Sequence, residues 1–111
     1  MASDGLAQAA AHSFRVANIA STQLVLTHPH GMGNPPSDIP ELAGLLEVLS
    51  REPGQPPVVL VGHKACFGHS VCAAGIVSLI VSSAAMQHCA VPMHIGVRTK
   101  LEVLCSADAV L

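Results

Sequence analysis

Apolar and polar positions change their spacing several times along the chain. Near the N-terminus, Leu6, Ala9 and Ala10 share one face of a helix that Ser3 or Asp4 caps and that runs to about His12. From Gln23 to Thr27 the run Leu24-Val25-Leu26 reads as a short strand. Pro29 stops it, and Gly31, Gly33, Pro35 and Pro36 make an irregular loop. Ser37 or Asp38 caps a second helix, with Glu41 at capping-box spacing from Asp38. Leu42, Leu45, Leu46 and Leu49 give that helix one apolar face. Pro53, Gly54, Pro56 and Pro57 end it, and Val58 to Val61 forms a second buried strand. From Ala65 to Val97 no Asp, Glu, Lys or Arg occurs, and Ser70 to Gln87 reads as one helix, apolar all round. That pattern predicts burial on every side within a globular core. Val91 to Val97 returns as a strand. The alternation of helix and strand predicts an α/β fold with a parallel or mixed sheet.

Charge and composition sharpen this picture. Charged residues make up only 11% of the 111 residues, against about 25% in an average chain. There are two phenylalanines and no tyrosine or tryptophan. So little aromatic area and so little polar surface predict a piece whose apolar faces meet the rest of a fold or a partner. The net charge is −2, and the basic residues Arg15, Arg51, Lys64, Arg98 and Lys100 are dispersed. Without a basic stripe or aromatic platform, nucleic-acid binding is not expected. The four cysteines, Cys66, Cys72, Cys89 and Cys105, mostly lie in apolar stretches after no secretory signal. They read as reduced, buried thiols in a cytoplasmic protein. The apolar helix only just reaches the length of a membrane span. Its serines and small residues favour a core helix, so no membrane span is expected.

Two histidines stand on glycine turns. His30 opens His30-Gly31-Met32-Gly33-Asn34-Pro35, with Asp38 and Glu41 beyond it. His69 closes Lys64-Ala65-Cys66-Phe67-Gly68-His69 and leads into Ala73-Ala74-Gly75. These segments resemble two ordered motifs of the β-ketoacyl synthases, the carbon–carbon bond-forming domains of fatty acid and polyketide synthases. In that family His-Gly-Thr-Gly-Thr-Pro precedes Asp and Glu, and Lys-x-x-x-Gly-His precedes a small-residue helix. The run Met86-Gln87-His88…Val91-Pro92 resembles the exit from that helix. The likeness covers roughly Leu6 to Met93.

The resemblance implies a thiolase-like α/β fold, with residues 6–111 as an incomplete C-terminal ketosynthase portion. It implies decarboxylative condensation of acyl and malonyl thioesters in fatty acid or polyketide biosynthesis. His30 and His69 would donate to the developing enolate oxygen, and Lys64 would organise them. The start of the long helix would disfavour a cationic His69. Asp38 and Glu41 read as a cap and a helix face rather than catalysts. Substrates would ride on the phosphopantetheine of an acyl carrier protein, with no resident cofactor or metal. Partners would be that carrier, the remainder of the ketosynthase domain, and a second copy in a homodimer.

Four departures stand out. No cysteine precedes His30, where the family carries its nucleophile. Met32 and Asn34 replace the two threonines that contact the carrier arm. His28 replaces a glutamate, and the C-terminal Gly-Phe-Gly-Gly-type segment is absent. The chain alone is therefore expected to be inactive.

Three competing readings remain. Gly68-His69-Ser70-Val71-Cys72 approaches the Gly-x-Ser-x-Gly nucleophile elbow, but Ala65-Cys66-Phe67 is a poor strand end before it and Cys72 replaces the last glycine. Cys66, His69 and Cys72 offer three soft ligands, with Cys89 or His28 as a fourth, but lack paired Cys-x-x-Cys knuckles. A non-catalytic structural remnant is the third.

Overall fold

The computed structural model describes residues 3–95 together with Thr99, Leu101, Leu104, Ala109 and Val110. The first helix, α1 (Ser3–Ala17), extends past His12 because nothing breaks it before Asn18. Asn18 adopts a left-handed φ of 52°. Its N–H reaches the carbonyl of Arg15, and the Ile19 N–H reaches that of Phe14, a Schellman ending built without glycine. On the expected face Leu6 and Ala10 are half-buried and Ala9 is exposed, while Ala7 is the buried residue. This face packs α1 against α2 (Pro35–Val48).

The strands are shorter than expected. Gln23 belongs to a 3-10 turn over Ser21–Gln23, and β1 is only Leu26–Thr27. β2 is Val58–Leu60. The two run parallel, with Leu26 opposite Val59 and Thr27 opposite Leu60. β1, α2 and β2 thus form a β-α-β crossover, as the alternating pattern predicts. Val58 and Leu60 are buried on one side of β2, and Leu60 packs with Leu42 of α2 and with Leu104. Leu46 and Leu101 close over that cluster. Arg51 ties the end of this unit to the start of β1, donating to the carbonyls of Ser21 (2.8 Å) and Leu24.

Four expectations need correction. The third strand is not Val91 to Val97: residues 91–95 are irregular, and Gly96 and Val97 lie outside the described residues. Instead β3 (Ala109–Val110) pairs parallel to β2, giving the order β1-β2-β3. The long helix begins later than Ser70. A 3-10 turn over Val71–Ala73 leads into α4 (Ala74–His88), which a left-handed Cys89 terminates. Nor is α4 buried: Leu79 is 63% exposed, Ile80 60% and Met86 73%. Val71–His88 is long and apolar enough to cross a membrane by length and composition alone. Cys66, Cys72 and Cys89 are exposed free thiols rather than buried ones: Cys72 and Cys89 flank this uncovered helix, and Cys66 lies on the exposed short helix Lys64–Phe67. Cys105 lies outside the described residues.

Candidate active site

Both histidine motifs leave the C-terminal ends of parallel strands, where loops of open α/β sheets collect their functional groups. After β1 the chain runs through His28 and Pro29 into the His30 loop. After β2 it runs through Gly62 and His63 into the short helix α3 (Lys64–Phe67), which carries the lysine.

Two carboxylates of α2 hold the His30 loop by its backbone. Glu41 accepts from the N–H groups of His30 and Gly31, the second at 2.9 Å. Asp38 accepts from those of Met32 (2.8 Å) and Asn34 (2.9 Å). Helix α2 begins at Pro35 with Asn34 as its N-cap residue, so Asp38 and Glu41 do not form the expected capping box. They act as clamps on a turn that exposes its amides. Gly33 makes that turn possible by taking φ 76°.

Lys64 closes the arrangement from the other strand by donating its ammonium to the His30 carbonyl. The His30 and His69 rings stand 5.1 Å apart between centroids, crossed at 74°. Both are exposed, so their ring edges are open to a substrate. The Val71 N–H donates to His69 Nδ1 at 2.9 Å. A backbone N–H only donates, so Nδ1 is the unprotonated nitrogen and Nε2 carries the proton. This corrects the expected cause of a neutral His69: α4 starts only at Ala74, and the local amide fixes the tautomer instead. The geometry requires Gly68 at φ 75° and the β-branched Val71 at φ 45°. Such conformations cost energy and gather at working sites.

A cleft of about 420 Å³ opens beside His30 and Lys64, with Met32, Gly62 and His94 on its wall and Leu42 and Leu104 at its base. Met32 is half-exposed and faces this cleft. The Asn34 amide instead reaches Ser37 Oγ at 3.5 Å. No group of three or more His, Cys, Asp or Glu side chains fit to hold a metal ion occurs among the described residues.

Behind the exposed pair lies a second pair of imidazoles that the motifs did not signal. The rings of His28 and His63 are 6.1 Å apart. His63 keeps only 4% of its surface exposed. Its Nδ1 lies 3.4 Å from Ser78 Oγ on α4, while its Nε2 and both ring nitrogens of His28 are buried without a partner among the described residues. Burial pushes both pKa values below the usual 6.5. The positive charge of Lys64 adds to this at both rings, with His69 near His63, and His63 and His94 near His28. His94 itself bonds the Leu60 carbonyl. The one clue in the sequence was position: His28 and His63 stand just before His30 and Lys64.

The pattern of β-ketoacyl synthase, C-terminal domain, matches residues 1–98. The chain belongs to this family. It is 31% identical over 87 residues to desertorin synthase of Aspergillus desertorum, covering 78% of this chain and 5% of that protein. It is 37% identical over 76 residues to atrochrysone carboxylic acid synthase of Aspergillus fumigatus, covering 65% of this chain and 4% of that one. It is 33% identical over 92 residues to polyketide synthase ThaG of Burkholderia thailandensis, covering 80% of this chain and 2% of that one. The chain therefore spans about one-twentieth or less of the length of these relatives.

Proposed function

We propose that the chain supplies the two-histidine part of a condensing site in polyketide biosynthesis. A malonyl-type thioester loses carbon dioxide as its bond to the carboxylate breaks. The electron pair moves onto the α-carbon and thioester oxygen as an enolate. That carbon attacks an acyl thioester carbonyl, a carbon–carbon bond forms, and the thiolate of the nucleophile that held the acyl group leaves. The reading rests on one observation: the crossed pair of His30 and His69, with His69 held as the Nε2–H tautomer. Donors fixed in place before charge develops stabilise it most. Lys64 is the organising residue, because its ammonium fixes the His30 backbone. Met32 lies where a carrier arm would enter; Asn34 is a weaker contact, since its amide is turned to Ser37.

In this reading the thiol nucleophile comes from outside this sequence, since no cysteine precedes His30. The rest of a thiolase-like domain covers α4, and the complete enzyme is a cytoplasmic homodimer served by an acyl carrier protein. The chain alone does not condense thioesters. The test uses a parent enzyme bearing this segment. His69→Ala and His30→Ala should each slow carbon dioxide release by about 10²–10³, while acyl transfer to the nucleophile persists, since the enolate forms only in decarboxylation. Release at the parent rate in both variants sinks the assignment.

A further inference from the structure

We propose that His63, working with His28, is a positioning residue that braces the exposed His30–His69 pair and sets its tolerance of acid. The inference deepens the condensing-site reading and rests on it for the identity of the pair being braced.

Three segments meet at His63. Its ring packs against His28 at the end of β1, two residues before His30. Its backbone starts α3, accepting from the N–H groups of Cys66 and Phe67, and the next residue is Lys64. Its Nδ1 reaches Ser78 on α4, the helix that follows the His69 turn. The strand before His30, the helix bearing Lys64 and the helix after His69 thus meet at one almost wholly buried residue, β1 and α4 through its ring and α3 through its backbone carbonyl. Moving that ring disturbs two supports of the exposed pair directly, the end of β1 through His28 and α4 through Ser78.

The brace works only while uncharged. Among the described residues, the charged or titratable groups that act on the two rings are all cationic or can become so. Lys64 lies on α3, His69 on the turn before α4, and His94 on the segment after α4. The nearby carboxylates, Asp38 and Glu41, are turned to the backbone amides of the His30 loop. A proton added to His28 or His63 would be buried among positive neighbours. The unfolded chain takes up protons that the folded one resists as the pH falls through 6.5. Stability is therefore full above that pH and lost progressively below it, down to the lowered folded-state values.

Nitrogen-15 spectra of the histidine rings in the 111-residue chain test this without any turnover. His28 and His63 should titrate below 6.5, with His69 Nδ1 showing as an acceptor. In His63→Ala the His30–His69 ring contact should weaken and the His69 tautomer should become mixed. His63→Asn offers Ser78 a polar atom near the position of Nδ1 but has nothing to titrate. It should keep the ring contact at neutral pH and flatten the acid side of the melting-temperature profile, and it serves even where the alanine variant does not fold. An unchanged ring contact and tautomer in His63→Ala, or an unchanged acid profile in His63→Asn, overturns the proposal. If the spectra behave as stated but the parent enzyme decarboxylates normally without His30 and His69, the brace stands and the condensing reading falls.

Discussion

Replacing Asp38 by alanine should unlock the His30 loop. The carboxylate keeps only 7% of its surface exposed and accepts two backbone N–H groups, at 2.8 and 2.9 Å. A hydrogen bond to a charged acceptor is worth about 1.5–3 kcal/mol. The alanine also removes negative charge from the first turn of α2, worth about 0.3–1 kcal/mol. Two such bonds do not add in full, because the freed amides of Met32 and Asn34 turn toward water. A net loss of about 3 kcal/mol follows, near the low end for a pair of such bonds. Urea unfolding followed by far-ultraviolet circular dichroism reads the global loss. Amide hydrogen exchange reads the local one: Met32 and Asn34 should exchange about 10²-fold faster, since each 1.4 kcal/mol is a factor of ten. A global change below about 0.5 kcal/mol, the range of an ordinary surface substitution, with unaltered exchange at both amides, would refute the clamp.

Other outcomes follow from the same geometry. Gly68→Ala places a side chain at φ 75° and should cost about 1–3 kcal/mol, read from the urea midpoint; no shift would mean the turn relaxes freely. Cys66, Cys72 and Cys89 should react with a thiol reagent in the native chain nearly as fast as in denaturant, and strong native protection would contradict their exposure. Leu79→Lys on α4 should leave the unfolding midpoint within about 0.5 kcal/mol, as a surface substitution does, while reducing self-association in sedimentation. A large loss of stability would show that the residue is packed after all.

Local patterning carried much of the fold. The leucine spacing of α2 and the valines of β2 were legible because each element buries one face against the other, and Leu42 and Leu60 do meet in the core. Strand ends were not legible, since a two-residue β1 is defined by pairing with β2 and not by its own run of Leu24, Val25 and Leu26. The α4 helix misled for a physical reason. Apolar residues all round predict burial, but burial requires something to bury against, and most of α4 faces none of the described residues. At the site, His30, Lys64 and His69 were visible through their glycines and order. Their brace was not: His28 and His63 are far apart in sequence, and only the sheet sets them 6.1 Å from one another.

The parallel pairing of β1 with β2 has a consequence for how such chains vary. Lys64 and the carbonyl it binds are 34 residues apart along the backbone, yet their separation in space is measured across two ladder pairs. The stretch of prolines and glycine from Pro53 to Pro57 lies on the surface between α2 and β2 and takes no part in that measurement. Residues inserted there would lengthen the interval between the motifs while leaving the imidazoles where they are. A slip of one residue in the ladder, about 3.3 Å, would instead pull lysine and carbonyl apart. Kinship among such chains is therefore better judged by what precedes and follows each strand end than by the count of residues between the motifs.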